Sequence, residues 1–206
     1  LSLPLPYLAE AAPNAFLRAV ERSITSPKAS ITRLFAETDS SNCWHSGLLW
    51  ALETLVWAPE RLTRVVLILA RLAHVEIKGN WANTPMNTLV SIFRSWYPQT
   101  AASLEQRIAA LDTLMARDPD IAFDLLDRLV FAGQDFAHPN HRPAWRDDDS
   151  GAGYGVTQDE FQRMLSVAAD RLVSCSRGHP KRLARLIEKM SDFDEARVTA
   201  ILELVE

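Results

Sequence analysis

A proline followed at fixed offsets by apolar residues occurs four times, at Pro13, Pro59, Pro119 and Pro180, and no other feature constrains the fold as tightly. Counted from each proline, the third residue is Phe16, Leu62, Ala122 or Leu183, the sixth is Ala19, Val65, Leu125 or Leu186, and the seventh is Val20, Val66, Leu126 or Ile187. At roughly 100° per residue these offsets fall on one side of a helix and predict a buried stripe. The fifth residue is charged in every copy, as Arg18, Arg64, Asp124 or Arg185, and is expected to face outward. Proline suits a first helical turn because its missing N–H has no partner there and its fixed φ is already helical.

Two copies extend backwards. Ala51-Leu52-Glu53-Thr54-Leu55 precedes Pro59, and Ala110-Leu111-Asp112-Thr113-Leu114 precedes Pro119, so each of these reads as a tightly joined helix pair. The spacing between the prolines is irregular and longer than a two-helix repeat needs, which leaves room for further helices or loops. The fold class expected is all-α: an irregular α-solenoid or stacked helical-hairpin array of about ten helices, in a single domain over 1–206. Helices are expected over 13–22, 27–36, 43–57, 59–74, 85–96, 102–116, 119–131, 157–176, 180–190 and 193–205. Ser26-Pro27 and Thr84-Pro85 place a capping hydroxyl before a first-turn proline, and Thr157 with Glu160 has capping-box spacing.

Trp44 to Trp57 is apolar around most of its circumference, with His45, Ser46, Glu53 and Thr54 as the polar exceptions, and the stretch from Val65 to Leu72 is similar. Helices of that kind lie between neighbours, so this pair is expected at the centre, with Trp44, Trp50 and Trp57 as core.

With 48% hydrophobic residues in 206, the chain can bury a sizeable core. A formal charge of −4 gives no reason to expect nucleic acid or anionic lipid as a partner. No apolar run reaches the roughly 18 residues of a membrane span. Cys43 and Cys175 form neither a C-x-x-C pair nor a disulfide framework, which points to a reducing cytoplasm. The chain begins without Met and ends on Leu-Glu-Leu-Val-Glu with its helical pattern unfinished, so a fragment of a larger protein is expected.

Two long connections stand out: Val75 to Asn83, and the loop 132–156. Connections of such length tend to be functional or mobile. If successive helices alternate in direction, the two open at opposite ends of the stack and do not form one site together unless a helix lies crosswise. In the longer loop, His138 and His141 with Asp147, Asp148 and Asp149 have the right atoms for zinc or manganese, but not the order of an established metal motif. His138, His141, Asp147 and Asp149 are therefore candidates for an alternative reading as a metal-binding or hydrolytic domain. Trp145-Arg146 pairs an aromatic with an arginine, the side chains most often found as binding anchors, and Trp81 joins them as an expected protein contact. Trp145 could equally fold back and pin the loop to the helices. Lys181, Arg182, Arg185 and Lys189 share one helix face that could meet phosphate, although acidic residues follow at once. No nucleophile arrangement emerges: Ser46 lacks a Gly-x-Ser-x-Gly elbow and Cys43 lies in an apolar stretch. Neither a phosphate loop nor a dinucleotide fingerprint is present, so no cofactor is expected.

The helix-pair pattern over residues 13–190 resembles an α-solenoid of the HEAT or tetratricopeptide kind, without the regular period of either. The segments Leu5 to Pro13, Gly47 to Leu55, Leu67 to Ala73 and Gly79 to Asn83 resemble helical parts of large bacterial proteins, including nucleotide-driven signalling and defence proteins of the STAND kind. That resemblance implies a helical array that senses or scaffolds while a separate module acts, with another protein or a neighbouring domain as partner. Nothing matches the nucleotide-binding module, so no ATP site or catalytic residue carries over.

Overall fold

The computed structural model describes residues 4–26, 30–35, 44–77, 81–132 and 136–205. Among them the chain is all-α, with ten α-helices and no strand. The helices are α1 (Leu5–Ala11), α2 (Pro13–Thr25), α3 (Ser46–Leu55), α4 (Leu62–Ala73), α5 (Pro85–Phe93), α6 (Leu104–Arg117), α7 (Pro119–Val130), α8 (Gln158–Cys175), α9 (Pro180–Glu188) and α10 (Glu195–Glu203). Short 3-10 turns occupy Ser30–Leu34, Pro59–Arg61 and Met190–Asp192.

Pro13, Pro119 and Pro180 each begin an α-helix directly, and Pro85 does the same behind a Thr84 cap that accepts the Asn87 N–H at 3.1 Å. At Pro59 the helix starts three residues later, because Ala58 is extended and Pro59–Arg61 first makes a 3-10 turn. The Thr157 cap is present, accepting the Glu160 N–H at 3.2 Å. Ser103 and Gln106 form a reciprocal capping box at the start of α6. Pro27, Cys43, Gly79 and Asn80 lie outside the described residues, and so does part of the helix expected over 27–36, of which Ser30–Leu34 is a 3-10 turn.

One helix lies outside the spans expected from periodicity, although Leu5 to Pro13 is among the segments that resemble helical parts of other proteins. α1 carries Pro6 in its first turn, where proline costs nothing.

The proline-led stripe holds best in the middle copies. Leu62, Val65, Val66, Ala122, Leu125 and Leu126 are all buried. In the outer copies it frays: Phe16 and Leu183 are half-buried, Ala19 is exposed, and Ile187 is 45% exposed. The charged fifth positions do more than face water. Arg64 in α4 grips Glu21 of α2 through two hydrogen bonds of 2.7 Å, and Arg185 in α9 grips Asp127 of α7 at 2.8 and 3.1 Å. Arg171 does the same from α8 to Asp112 of α6, and Arg197 from α10 to Asp170 of α8 at 2.8 Å. The bidentate fork of arginine makes such a clamp geometrically specific.

Nine of the ten residues of α3 are buried, as its apolar circumference requires. It packs chiefly on α1, while α4 packs on α2, α5 and α6, and α6, α7 and α8 pack on one another. Of the three tryptophans expected in the core, only Trp57 is there. Trp50 is half-buried, and Trp44, which precedes α3, is exposed. No helix among the described residues is long and apolar enough to cross a membrane.

Candidate functional site

The loop 132–156 does not hang from the end of α7. From Phe136 to Val156 it runs as an ordered strap over α5, α3 and α1, held mostly by its backbone. Arg94 donates to the Phe136 carbonyl at 3.3 Å, and Gln99 Oε1 accepts the Asn140 N–H at 3.1 Å. Glu53, 7% exposed in α3, accepts the His141 N–H at 3.1 Å and the Thr88 hydroxyl at 3.1 Å. The Trp57 indole N–H donates to the His141 carbonyl at 2.9 Å.

Farther along, Glu10 of α1, 3% exposed, receives three consecutive backbone N–H groups, from Ala144, Trp145 and Arg146. A buried carboxylate needs donors to offset its lost hydration, and the strap supplies them. Arg142 lies over the Trp57 ring at 4.3 Å, with Nη1 on Asp149 Oδ2 at 2.8 Å and Nη2 on the Ala152 carbonyl at 3.2 Å. Gly153 has φ +78°, and a Cβ there would collide with that guanidinium and touch the Trp57 ring. Only glycine lets the strap close over Arg142.

This course explains why several expected sites do not assemble. Asp148 pairs with Arg61 at 2.7 Å and Asp149 with Arg142, while the His141 ring stacks on Trp50 at 4.6 Å. His138, His141, Asp147 and Asp149 are not gathered, and among the described residues no group of three or more His, Cys, Asp or Glu side chains could hold a metal ion. Three of the four cations on the basic face have partners: Arg182 is buried against Asp120 and the Cys175 carbonyl, Arg185 holds Asp127, and Lys189 lies 3.9 Å from Asp192. Of the contact candidates, Trp145 is 67% exposed and tilts onto Tyr7 at 5.2 Å between ring centres. Arg146 is exposed, with Nε on the Glu10 carbonyl at 2.7 Å. Trp81 is half-buried, edge-on to His45 at 6.4 Å. Trp145 is thus neither a buried plug nor free of the helices.

The strap also walls a cleft of about 710 Å³. It is lined by Asn87 and Thr88 of α5 with Arg94 just past its end, by Trp50 and Glu53 of α3, and by Arg128 of α7 with Phe131 just past its end. Ala82 and Asn83, from the first long connection, and Phe136 to His141, from the second, line this one space. The two connections therefore meet, which simple alternation of the helices would not allow. α5 lies between α4 and α7, and the strap turns back across it to reach Glu53 and Glu10. The sequence reading missed Glu10, Asn83, Arg128 and Asn140; only Glu53 carried a signal, as a carboxylate inside an otherwise apolar helix.

The fold and cleft define an all-α protein with a mixed polar and aromatic hollow beneath an ordered strap. Comparison with protein-family models, with curated proteins and with solved structures gives no match.

Proposed function

We propose that the chain is a non-catalytic protein-interaction module, a sensor or scaffold segment of a larger cytoplasmic bacterial protein. Its helices form an irregular array of the solenoid kind. The partner is another protein or a neighbouring domain. The observation that carries this reading is the strap: Glu10 and Glu53 fix its backbone, so that Trp145 and Arg146 are presented outward at little entropic cost on binding. Arginine and tryptophan on a rigid mount are the residues most enriched at binding hot spots. The lining of the cleft, with Trp50 and Phe131 beside asparagines and three arginines, is of the composition that recognises other molecules without a reactive group. Its volume lies in the usual range for binding sites, roughly 300–1,000 Å³.

Affinity capture with the tagged chain, followed by mass spectrometry, tests the reading. A protein retained by the wild type and lost with the Trp145→Ala/Arg146→Ala double variant, at unchanged melting temperature, supports it. Failure to retain any protein specifically contradicts it.

A further inference from the structure

We propose that the face formed by Tyr7, Leu8, Trp145, Arg146 and Asp147 pairs with the same face of a second copy of this chain, in a two-fold dimer where Arg146 of each copy meets Asp147 of the other. This assignment rests on the protein-interaction reading above and names its partner. α1 is built inside out. Its one charged residue, Glu10, is buried, while its exposed residues, Tyr7, Leu8 and Ala11, are apolar but for the tyrosine hydroxyl. Tyr7 and Leu8 lie four and three residues from Ala11, so the three make one patch on the helix surface. Trp145 continues that patch from the strap, its ring centre 5.2 Å from that of Tyr7. Tyr7, Leu8 and Trp145 are 54%, 57% and 67% exposed. A helix that is apolar on its outer side as well belongs between neighbours, and a contiguous exposed apolar patch marks a contact surface. α2 and α3 pack on α1 elsewhere and leave this side open.

The charges beside the patch select a second copy. Arg146 gives its Nε to the Glu10 carbonyl at 2.7 Å and its backbone N–H to the Glu10 carboxylate. Its two terminal nitrogens make no hydrogen bond or salt bridge among the described residues, and the residue is exposed. Asp147 follows directly. Its carbonyl accepts the Ser150 N–H at 3.1 Å, which sets a turn, while its exposed carboxylate has no partner among the described residues. The next two aspartates are taken, Asp148 by Arg61 and Asp149 by Arg142. One unpaired cation beside one unpaired anion, on a backbone fixed by Glu10 and by the turn, is its own complement. Under a two-fold axis each charge meets its opposite, as an interface made of the same patch on both subunits requires. A partner of one charge sign would gain one pair and face one like charge.

The test uses the whole 206-residue chain. Sedimentation equilibrium over a wide range of concentration should show the mass rising from that of one chain, 23.1 kDa, towards twice that value. Leu8→Glu, at an exposed position, should weaken self-association at least tenfold with the melting temperature unchanged. Arg146→Asp and Asp147→Arg should each weaken it as much, by setting like charges opposite one another. Asp147→Arg removes no side-chain contact within the chain, so its effect reads the interface alone. An equimolar mixture of these two charge variants should associate again, because each then faces its opposite. A monomeric wild type, a dimer indifferent to Leu8→Glu or to the single charge reversals, or no recovery in the mixture overturns the assignment. A monomeric chain that still retains another protein through Trp145 and Arg146 leaves the interaction reading standing and removes the second copy as its occupant.

Discussion

Arg146 and Glu10 are joined twice: the Arg146 backbone N–H donates to Glu10 Oε1 at 2.8 Å, and its Nε to the Glu10 carbonyl at 2.7 Å. The next residue back in the strap, Trp145, lies 135 positions from Glu10 in sequence and gives its own N–H to the same carboxylate oxygen. One buried acid on the first helix thus fixes the middle of the long strap and, with it, the orientation of Trp145.

Replacing Glu10 by Ala leaves three backbone N–H groups without their acceptor. Each such loss costs about 1–3 kcal/mol if the group stays buried, and less if water reaches it. Urea denaturation should show a loss of about 2–4 kcal/mol for Glu10→Ala, within the range of single changes that break a buried network. Limited proteolysis should cut the variant within 136–156 and spare the wild type. Equal stability and equal cleavage would remove Glu10 as the anchor.

The proline-led helices could be read from sequence because each stripe lies at helical offsets within eight residues of its proline, and that signal is local. The strap could not. Its anchors are backbone N–H groups, which every residue carries, meeting carboxylates far away in sequence, so its composition reads the same whether it is pinned or free. Glu53 shows what might have betrayed the site: a charge inside a helix that is apolar on all sides must find donors. Glu10 gave no such sign, since α1 is short and its other face carries the exposed Tyr7 and Leu8. The charges at the fifth position were correctly placed off the core, but their role as clamps between helices depends on the register of the neighbour.

Arg107 is 0% exposed in α6, where burial pushes its guanidinium pKa down; Nη2 binds Glu160 of α8, while Nε and Nη1 have no partner. A buried pair of this kind is weak support for stability, because the desolvation of both charges offsets their attraction. Arg107→Met should leave the urea midpoint unchanged or raise it. Glu160→Ala, which strands the buried cation, should cost about 1–3 kcal/mol. The opposite order would show the ion pair to be a net stabiliser.

Glu21 and Arg64 supply a pH dependence. The Arg64 hydrogen bonds hold the Glu21 carboxyl below its ordinary value of 4.5. Because the folded pKa is the lower one, the stabilisation is complete above the unfolded value and is lost as pH falls through the folded value. Between pH 6 and pH 3 the wild type should therefore lose stability more steeply than Glu21→Gln, in urea melts at fixed ionic strength. Parallel slopes would show the pair to be too solvated to matter.

With Asp148 held by Arg61 and Asp149 by Arg142, addition of zinc or of a chelator should shift the melting temperature by less than the error of the scan. A dose-dependent rise with zinc that disappears in the His138→Ala/His141→Ala variant would restore the metal reading of the strap.

The most direct test of the strap as a fixed wall is amide hydrogen exchange at His141, Ala144, Trp145 and Arg146, whose N–H groups are bound by Glu53 and Glu10. These amides should exchange far more slowly than free-chain amides in the wild type, and those of Ala144 to Arg146 should speed up in Glu10→Ala while the core of α3 and α4 stays protected. Free-chain exchange at these positions in the wild type would contradict the account.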